Sequence, residues 1–292
     1  MDYIKRLTLI ICFLLFGFHI YVQAAAMPYM NKSKIRVAVI PGKTNYGEIM
    51  VENPAAQDMA MRVYLEDWYY QPAADGSKAF VPANSTPHSC AGWLTFSPAE
   101  FTLPPFGRQA VNYAIKLPPD ASGSYYAALF FESAAGNMAA GQEGMAAAIN
   151  INIRIGVLFY VEAEGTIKRT GILENLALKQ DKAAGGLSIQ MDFRNTGNVD
   201  ITAGGSFHII DRQGLVLARN EFDNVYTFPG DTAKLQAKSK KLLPRGRYDL
   251  VLTFDLGKAW EELGISRGPV VTKEAEIEVD ASGEVVRIGG LK

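Results

Sequence analysis

Histidines, cysteines, nucleophilic serines and paired carboxylates are the side chains that could carry catalysis or hold a metal. This chain of 292 residues places few of them together. Past the N-terminal segment it has two histidines, His88 and His208, 120 positions apart. A zinc site gathers three or four ligands at short, recognisable spacings, and none of those spacings occurs. No Gly-x-Ser-x-Gly turn marks a triad nucleophile, and His208 sits inside an apolar run where a structural histidine is the ordinary case. The adjacent carboxylates Glu66-Asp67 and Glu261-Glu262 point to opposite sides of an extended chain, so they read as solvated charges and not as an acid/base pair. Gly185-Gly186 and Gly204-Gly205 read as turn glycines, without the residues of a phosphate loop. The expectation is a protein with no catalytic site, metal or small-molecule cofactor.

The chemistry left is that of the backbone. Ile149, Ile151, Ile153, Ile155 and Val157 alternate with Asn150, Asn152, Arg154 and Gly156. Successive side chains of a strand point to opposite faces, so this run has one apolar and one polar face. A helix would scatter the same residues around its circumference, and β-branched side chains favour the strand further. At a sheet edge such a strand offers unpaired N–H and C=O groups beside a row of isoleucines, a combination natural edges avoid because it recruits foreign strands. Two readings follow: the isoleucines fill their own domain's core, or part of the row also pairs with a strand of a partner protein.

The elements that position this strand are short and β-like. Residues 34–40, 48–52, 59–68 and 108–117 alternate, and 124–132 is apolar on both faces, as in the middle of a sheet. Residues 72–90 read as a long loop. The Gly/Ala/Met-rich stretch 134–148 reads as a mobile loop, or as a weak helix over 143–148, with the loop fitting the hairpin a sandwich needs there. The second half repeats the pattern: strands at 187–193, 205–211, 215–219, 233–237, 248–254, 274–279 and 284–288, with turns such as Asn195-Thr196-Gly197-Asn198. Roughly seven strands at regular spacing in each half predict an all-β chain of two immunoglobulin-like β-sandwich domains in tandem, over 32–163 and 170–288. No β-α-β alternation of a nucleotide-binding fold occurs.

Lys5-Arg6, the apolar run 7–18 and Val22-Gln23-Ala24-Ala25 have the order of a secretory signal peptide over 1–24. The apolar run falls short of the ~20 residues of a membrane span, with an uncleaved anchor as the alternative. Removing Asp2, Lys5 and Arg6 (net +1) takes the formal charge from −1 to −2, which gives no reason to expect nucleic acid or an anionic membrane as partner. Of the two cysteines, Cys12 falls in the signal segment and Cys90 remains alone, so no internal disulfide framework is expected. Cys90 then pairs with another chain or, as is ordinary, is a small buried hydrophobe.

Several stretches together resemble the amino-terminal domain of the PapD-like periplasmic pilus chaperones. They are residues 47–54 ending Glu52-Asn53-Pro54, and 61–68 ending Glu66-Asp67-Trp68. Phe96-Ser97-Pro98 follows with Phe101-Thr102-Leu103-Pro104-Pro105, then Leu117-Pro118-Pro119-Asp120 before Tyr125-Tyr126, and last the isoleucine strand ending Leu158-Phe159-Tyr160. The likeness covers roughly residues 34–162. In that family the alternating strand lends its apolar side chains to an unfinished pilus subunit. The resemblance therefore implies a periplasmic export chaperone or assembly factor whose partner is a pilus-type or other surface subunit. The family also holds the subunit's terminal carboxylate with two basic residues. Arg36 falls within about one residue of the first; at the second this chain has Val157, and Arg154 is the nearest cation. The expected partner-binding set is Arg36, Ile149, Ile151, Ile153, Arg154, Ile155 and Val157. The second half, with Phe193-Arg194-Asn195-Thr196-Gly197-Asn198, resembles generic sandwich domains of bacterial surface proteins, including the WxL-interacting type. A structural or adhesive surface protein is accordingly the alternative function.

Overall fold

A computed structural model describes residues 27–140, 147–181, 185–257 and 269–292, with 134–140 and 147–151 described by their backbone. The expected signal peptide and the possible helix over 143–148 fall on or run into residues outside these. The described chain is almost wholly β, and its strands build two sandwiches in tandem. The first contains β1 (Tyr29–Met30), β2 (Lys34–Val39), β3 (Thr44–Glu52), β4 (Met59–Tyr70), β5 (Lys78–Pro82), β6 (Leu94–Ser97), β7 (Glu100–Leu103), β8 (Arg108–Lys116), β9 (Ser124–Ala140) and β10 (Ala147–Ala163). One sheet has the order β1-β3-β8-β6, and the facing sheet runs β2-β10-β9-β4-β5 with β7 also on β4. The second sandwich contains β11 (Gly171–Asp181), β12 (Gly186–Asn195), β13 (Ile201–Ile210), β14 (Val216–Glu221), β15 (Val225–Thr227), β16 (Thr232–Ser239), β17 (Gly246–Asp255), β18 (Val270–Val279) and β19 (Val285–Ile288). Its sheets run β11-β12-β16 and β14-β13-β17-β18-β19, with β15 on β13.

Alternation explains most of these strands. In β4, Met59, Met61 and Val63 are buried while Ala60 and Arg62 are exposed; in β8, Val111, Tyr113 and Ile115 face inward. Strand β9 departs from alternation because it lies between β10 and β4 and is covered on both faces. Its odd residues Ala127, Leu129 and Phe131 join the sandwich core, and its even residues Tyr126, Ala128 and Phe130 join a second apolar layer with Trp68, Leu158, Tyr160 and Phe228. That outer layer is what joins the two sandwiches, since Phe228 belongs to the second and stacks on Tyr126 at a centroid distance of 4.1 Å.

Four local readings are corrected. Residues 78–82 of the expected loop 72–90 form β5, paired to β4 from Glu66↔Pro82 to Tyr70↔Lys78. Residues 134–140 and 147–148 extend the β9–β10 hairpin, where small residues without periodicity gave no strand signal. Gly204 and Gly205 lie inside β13 and not in a turn; a Cβ at Gly205 would meet the Thr253 carbonyl oxygen at 2.3 Å, so close backbone approach explains that glycine. Asp67 is fully buried, because the chain after β5 folds back over it: it accepts from the N–H groups of Ser85 (2.8 Å) and Thr86 (2.9 Å) and from the Ser89 hydroxyl (2.6 Å). With the Thr86 hydroxyl as a fourth donor at 3.1 Å, this buried, satisfied carboxylate is a loop anchor. The loop it anchors carries Cys90, which is wholly buried with its thiol pKa pushed far up by that burial.

Candidate functional site

Strand β10 is paired on one flank along almost its whole length. Its antiparallel ladder with β9 runs from Ala147↔Ala140 to Glu162↔Ser124, with one irregularity between Asn150 and Asn152. The other flank differs between its two halves. Strand β2 pairs with it in parallel from Leu158↔Lys34 to Ala163↔Val39, and the Leu158 N–H donates to the Ser33 carbonyl at 3.0 Å. Upstream of Leu158, no strand among the described residues occupies this flank.

Backbone groups of alternate residues in a strand turn to opposite flanks. The Leu158 N–H faces β2, as does that of Glu164, which donates to the Val39 carbonyl; that of Ala163 faces the β9 side, donating to the Gly123 carbonyl. Counting back by two from Leu158, the N–H and C=O groups of Gly156, Arg154 and Asn152 project from that flank. Those of Val157, Ile155 and Ile153 belong to the β9 ladder. The side chains divide by the same parity. Val157 is fully buried in the first sandwich core, whereas Ile155 and Ile153 are only half-buried, so the apolar row emerges from its own core toward the hairpin end. The side chains of Ile149 and Ile151 lie outside the described residues; the Ile149 backbone pairs with Met138.

On the opposite face Arg154 is exposed and reaches inland. Its Nη1 donates to Glu66 Oε1 at 2.8 Å, and its guanidinium lies 4.5 Å from the Phe130 ring centroid. Glu132 accepts from the Tyr64 hydroxyl (2.8 Å) and from Asn152 Nδ2 (3.0 Å), completing a polar strip over the aromatic layer. Gly156 lies opposite Phe130 in the ladder, and a Cβ there would meet that ring at 3.0 Å, so this position is small because the aromatic covers it.

Arg36 lies elsewhere. It faces Tyr160 in the β2–β10 ladder, six residues from Arg154, or about 20 Å along the strand. Its guanidinium is gripped at the joint between the sandwiches: Nη1 donates to Glu162 Oε1 (2.6 Å) and Asp200 Oδ1 (3.0 Å), Nη2 to Asp200 Oδ2 (2.6 Å), with 6% of the side chain exposed. Arg169 adds a second cation on Glu162 at 3.0 Å, and the Asp200 N–H donates to the Tyr126 hydroxyl at 2.7 Å. Burial opposes the Arg36 charge, but Asp200 and then Glu162 outweigh it and hold the guanidinium above its ordinary pKa. The structure therefore separates the expected set into an edge group (Ile153, Arg154, Ile155), a joint residue (Arg36) and Val157, which is corrected from partner contact to core residue because its side chain is fully buried in its own sandwich. Glu162, Arg169 and Asp200 carry no local sequence pattern, and Asp200 comes from the other sandwich; Tyr126 stands in the sequence only within the Tyr125-Tyr126 pair, with no signal of its place at the joint.

The joint is reinforced by backbone contacts. The Tyr226 N–H donates to the Ala74 carbonyl at 2.9 Å, and Ala74, in the turn between β4 and β5, is buried against the second sandwich core. Gly123, at φ +83°, brings its neighbour Ser124 to donate to the Asn198 carbonyl at 2.9 Å; a Cβ at Gly123 would lie 2.5 Å from that oxygen. Among the described residues no three His, Cys, Asp or Glu side chains gather as a metal site, and no helix is long and apolar enough to cross a membrane.

No family model matches the chain, and no curated protein matches it. Several solved structures are similar to it in fold. The class 5 fimbriae chaperone CfaA is 10% identical, with 85% of this chain and 98% of that chain covered and a TM-score of 0.49. The E. coli chaperone DraB is 9% identical over 85% of this chain and 97% of that one, with a TM-score of 0.41. The Pseudomonas aeruginosa CupB2 chaperone is 9% identical over 84% and 98%, with a TM-score of 0.36.

Proposed function

We propose that this protein is an exported, periplasmic assembly chaperone that holds a partner protein by strand addition along β10. The observation that carries the reading is the flank upstream of Leu158 that no strand among the described residues occupies, where the outward backbone groups of Asn152, Arg154 and Gly156 sit beside the half-buried Ile153 and Ile155. A strand of the partner laid on this flank makes main-chain hydrogen bonds, and its own unfinished core receives the isoleucines. The partner in this reading is a pilus-type or other surface subunit with an incomplete sandwich, and no catalytic step is involved.

Magnitudes set the terms of the contact. Burying one isoleucine fully contributes ~1.5–3 kcal/mol, and Ile153 and Ile155 are already half-buried. Association costs ~4–15 kcal/mol, so these two side chains alone do not hold a partner. The ladder of backbone bonds, the positions of Ile149 and Ile151, and the partner's gain from closing its own sheet must supply the rest. Arg36 takes a different role in this reading: engaged by Asp200 and Glu162, it sets the angle between the sandwiches.

The test is co-purification of the exported protein with its partner, comparing wild type with Ile153→Asp and Ile155→Asp. Loss of the partner by variants that keep the wild-type circular dichroism supports the reading. Undiminished capture by folded variants overturns it in favour of a two-sandwich surface protein.

A further inference from the structure

The second sandwich carries a groove of about 740 Å3 on the outer side of its three-stranded sheet, where β16 meets β14. Lys179, Arg219, Lys238 and Lys240 line it against one carboxylate, Asp181. None of these four cations forms an ion pair among the described residues. Arg219 differs in this from four other exposed arginines, Arg108 with Glu52, Arg194 with Glu174, Arg212 with Glu276, and Arg247 with Glu278, which pair at 3.2–3.5 Å. The groove thus carries an excess of three positive charges, on a chain whose formal charge is −1. A concave surface lined by one sign of charge concentrates ligands of the other sign.

The lining narrows the ligand. Ser188, Gln190 and Gln236 supply hydroxyl and amide groups between the cations, and no aromatic side chain is present for a base or sugar ring to stack on. The strand edge beside the groove is closed, because the Gln236 and Lys238 carbonyls accept from the Asp223 N–H (3.1 Å) and Asn220 Nδ2 (2.6 Å). Side chains therefore make the contact, not strand addition. A flat lipid surface does not enter a groove, whereas an extended chain does.

We infer that this groove binds an acidic, extended polypeptide segment, with carboxylates on Lys179, Arg219, Lys238 and Lys240 and peptide groups on the intervening amides. The site is separate from the β10 edge and does not depend on it.

The experiment uses the full chain and a fluorescein-labelled ten-residue Glu-Ser repeat, read by anisotropy, with a Gln-Ser repeat, heparin and phosphatidylglycerol vesicles as comparisons. Expected are saturable binding of the Glu-Ser peptide, weakening as salt rises, and at least tenfold loss in Lys238→Glu/Lys240→Glu. Both positions are exposed, so folding is checked by an unchanged thermal melt and the β10 edge by unchanged partner capture. Equal binding of the Gln-Ser peptide, indifference to the double charge reversal in a folded variant, or binding of heparin or vesicles alone each overturns the inference.

Discussion

Leu158 and Ser33 mark the point where β10 stops pairing with its own chain: the Leu158 N–H reaches the Ser33 carbonyl at 3.0 Å, and no strand among the described residues continues that ladder upstream. The strand-addition proposal follows from this boundary, because it separates a half of β10 that pairs with β2 from a half that no described strand joins on that flank.

Hydrogen exchange should reveal the boundary directly. The amides of Asn152, Arg154 and Gly156 are expected to exchange rapidly in the isolated protein, while those of Ile153, Ile155 and Val157 are protected by β9. Addition of a partner should then protect the first three. Slow exchange at all six residues in the isolated protein would mean that the flank is covered.

The inward row should divide by stability. Val157 is fully buried, so Val157→Asp places an unpaired charge in the core and is expected to unfold the first sandwich. Ile153→Ser removes a half-buried side chain and should cost under about 1.5 kcal/mol in urea unfolding. Equal losses from the two substitutions would show that Ile153 is as deeply seated as Val157.

Removing Arg36 should be costly out of proportion to its size. Arg36→Met leaves Glu162 and Asp200 facing a joint without their shared cation, and breaking a buried pair costs ~3–5 kcal/mol. Adding Asp200→Asn should recover part of that loss, since the uncompensated charge is what destabilises. A loss below ~1 kcal/mol in denaturant titration would show that the joint does not depend on the pair.

His88 supplies a pH dependence. Its ring lies near Tyr125 and Tyr126 with centroids 6.5 and 6.3 Å away, and burial lowers its pKa, partly offset by Asp231. With the folded value below the unfolded value of about 6.5, the unfolded chain binds the proton more readily, so the protein loses stability as pH falls below that point. His88→Gln should flatten the stability profile between about pH 6.5 and the lower folded value. Identical slopes in that window for variant and wild type would show that His88 does not titrate differently on folding.

Alternating residues made the isoleucine strand, the inward faces of β4 and β8 and the two-sandwich class legible from the sequence, because a strand's side-chain period of two is a local property. Strand β5 and the hairpin extension 134–140 were not legible: neither has a periodic apolar face, and both form because a long neighbour offers them a ladder. Asp67 misled for the same reason. Its neighbour Glu66 is partly exposed on the other face, and only the return of residues 85–89 over β4 makes Asp67 a buried anchor.

By itself, then, the sequence determined that residues 149–157 form a strand whose inward side chains from Ile153 to Val157 share one apolar face, since branched side chains at every second position favour that backbone. How far each flank of the strand is paired among the described residues was decided by tertiary structure. Pairing depends on where β2 begins relative to Leu158, 124 residues away in the chain. The role of Arg36 was likewise decided in space: its charge is held by Asp200 of the other sandwich, and no local pattern encodes a contact 164 residues distant.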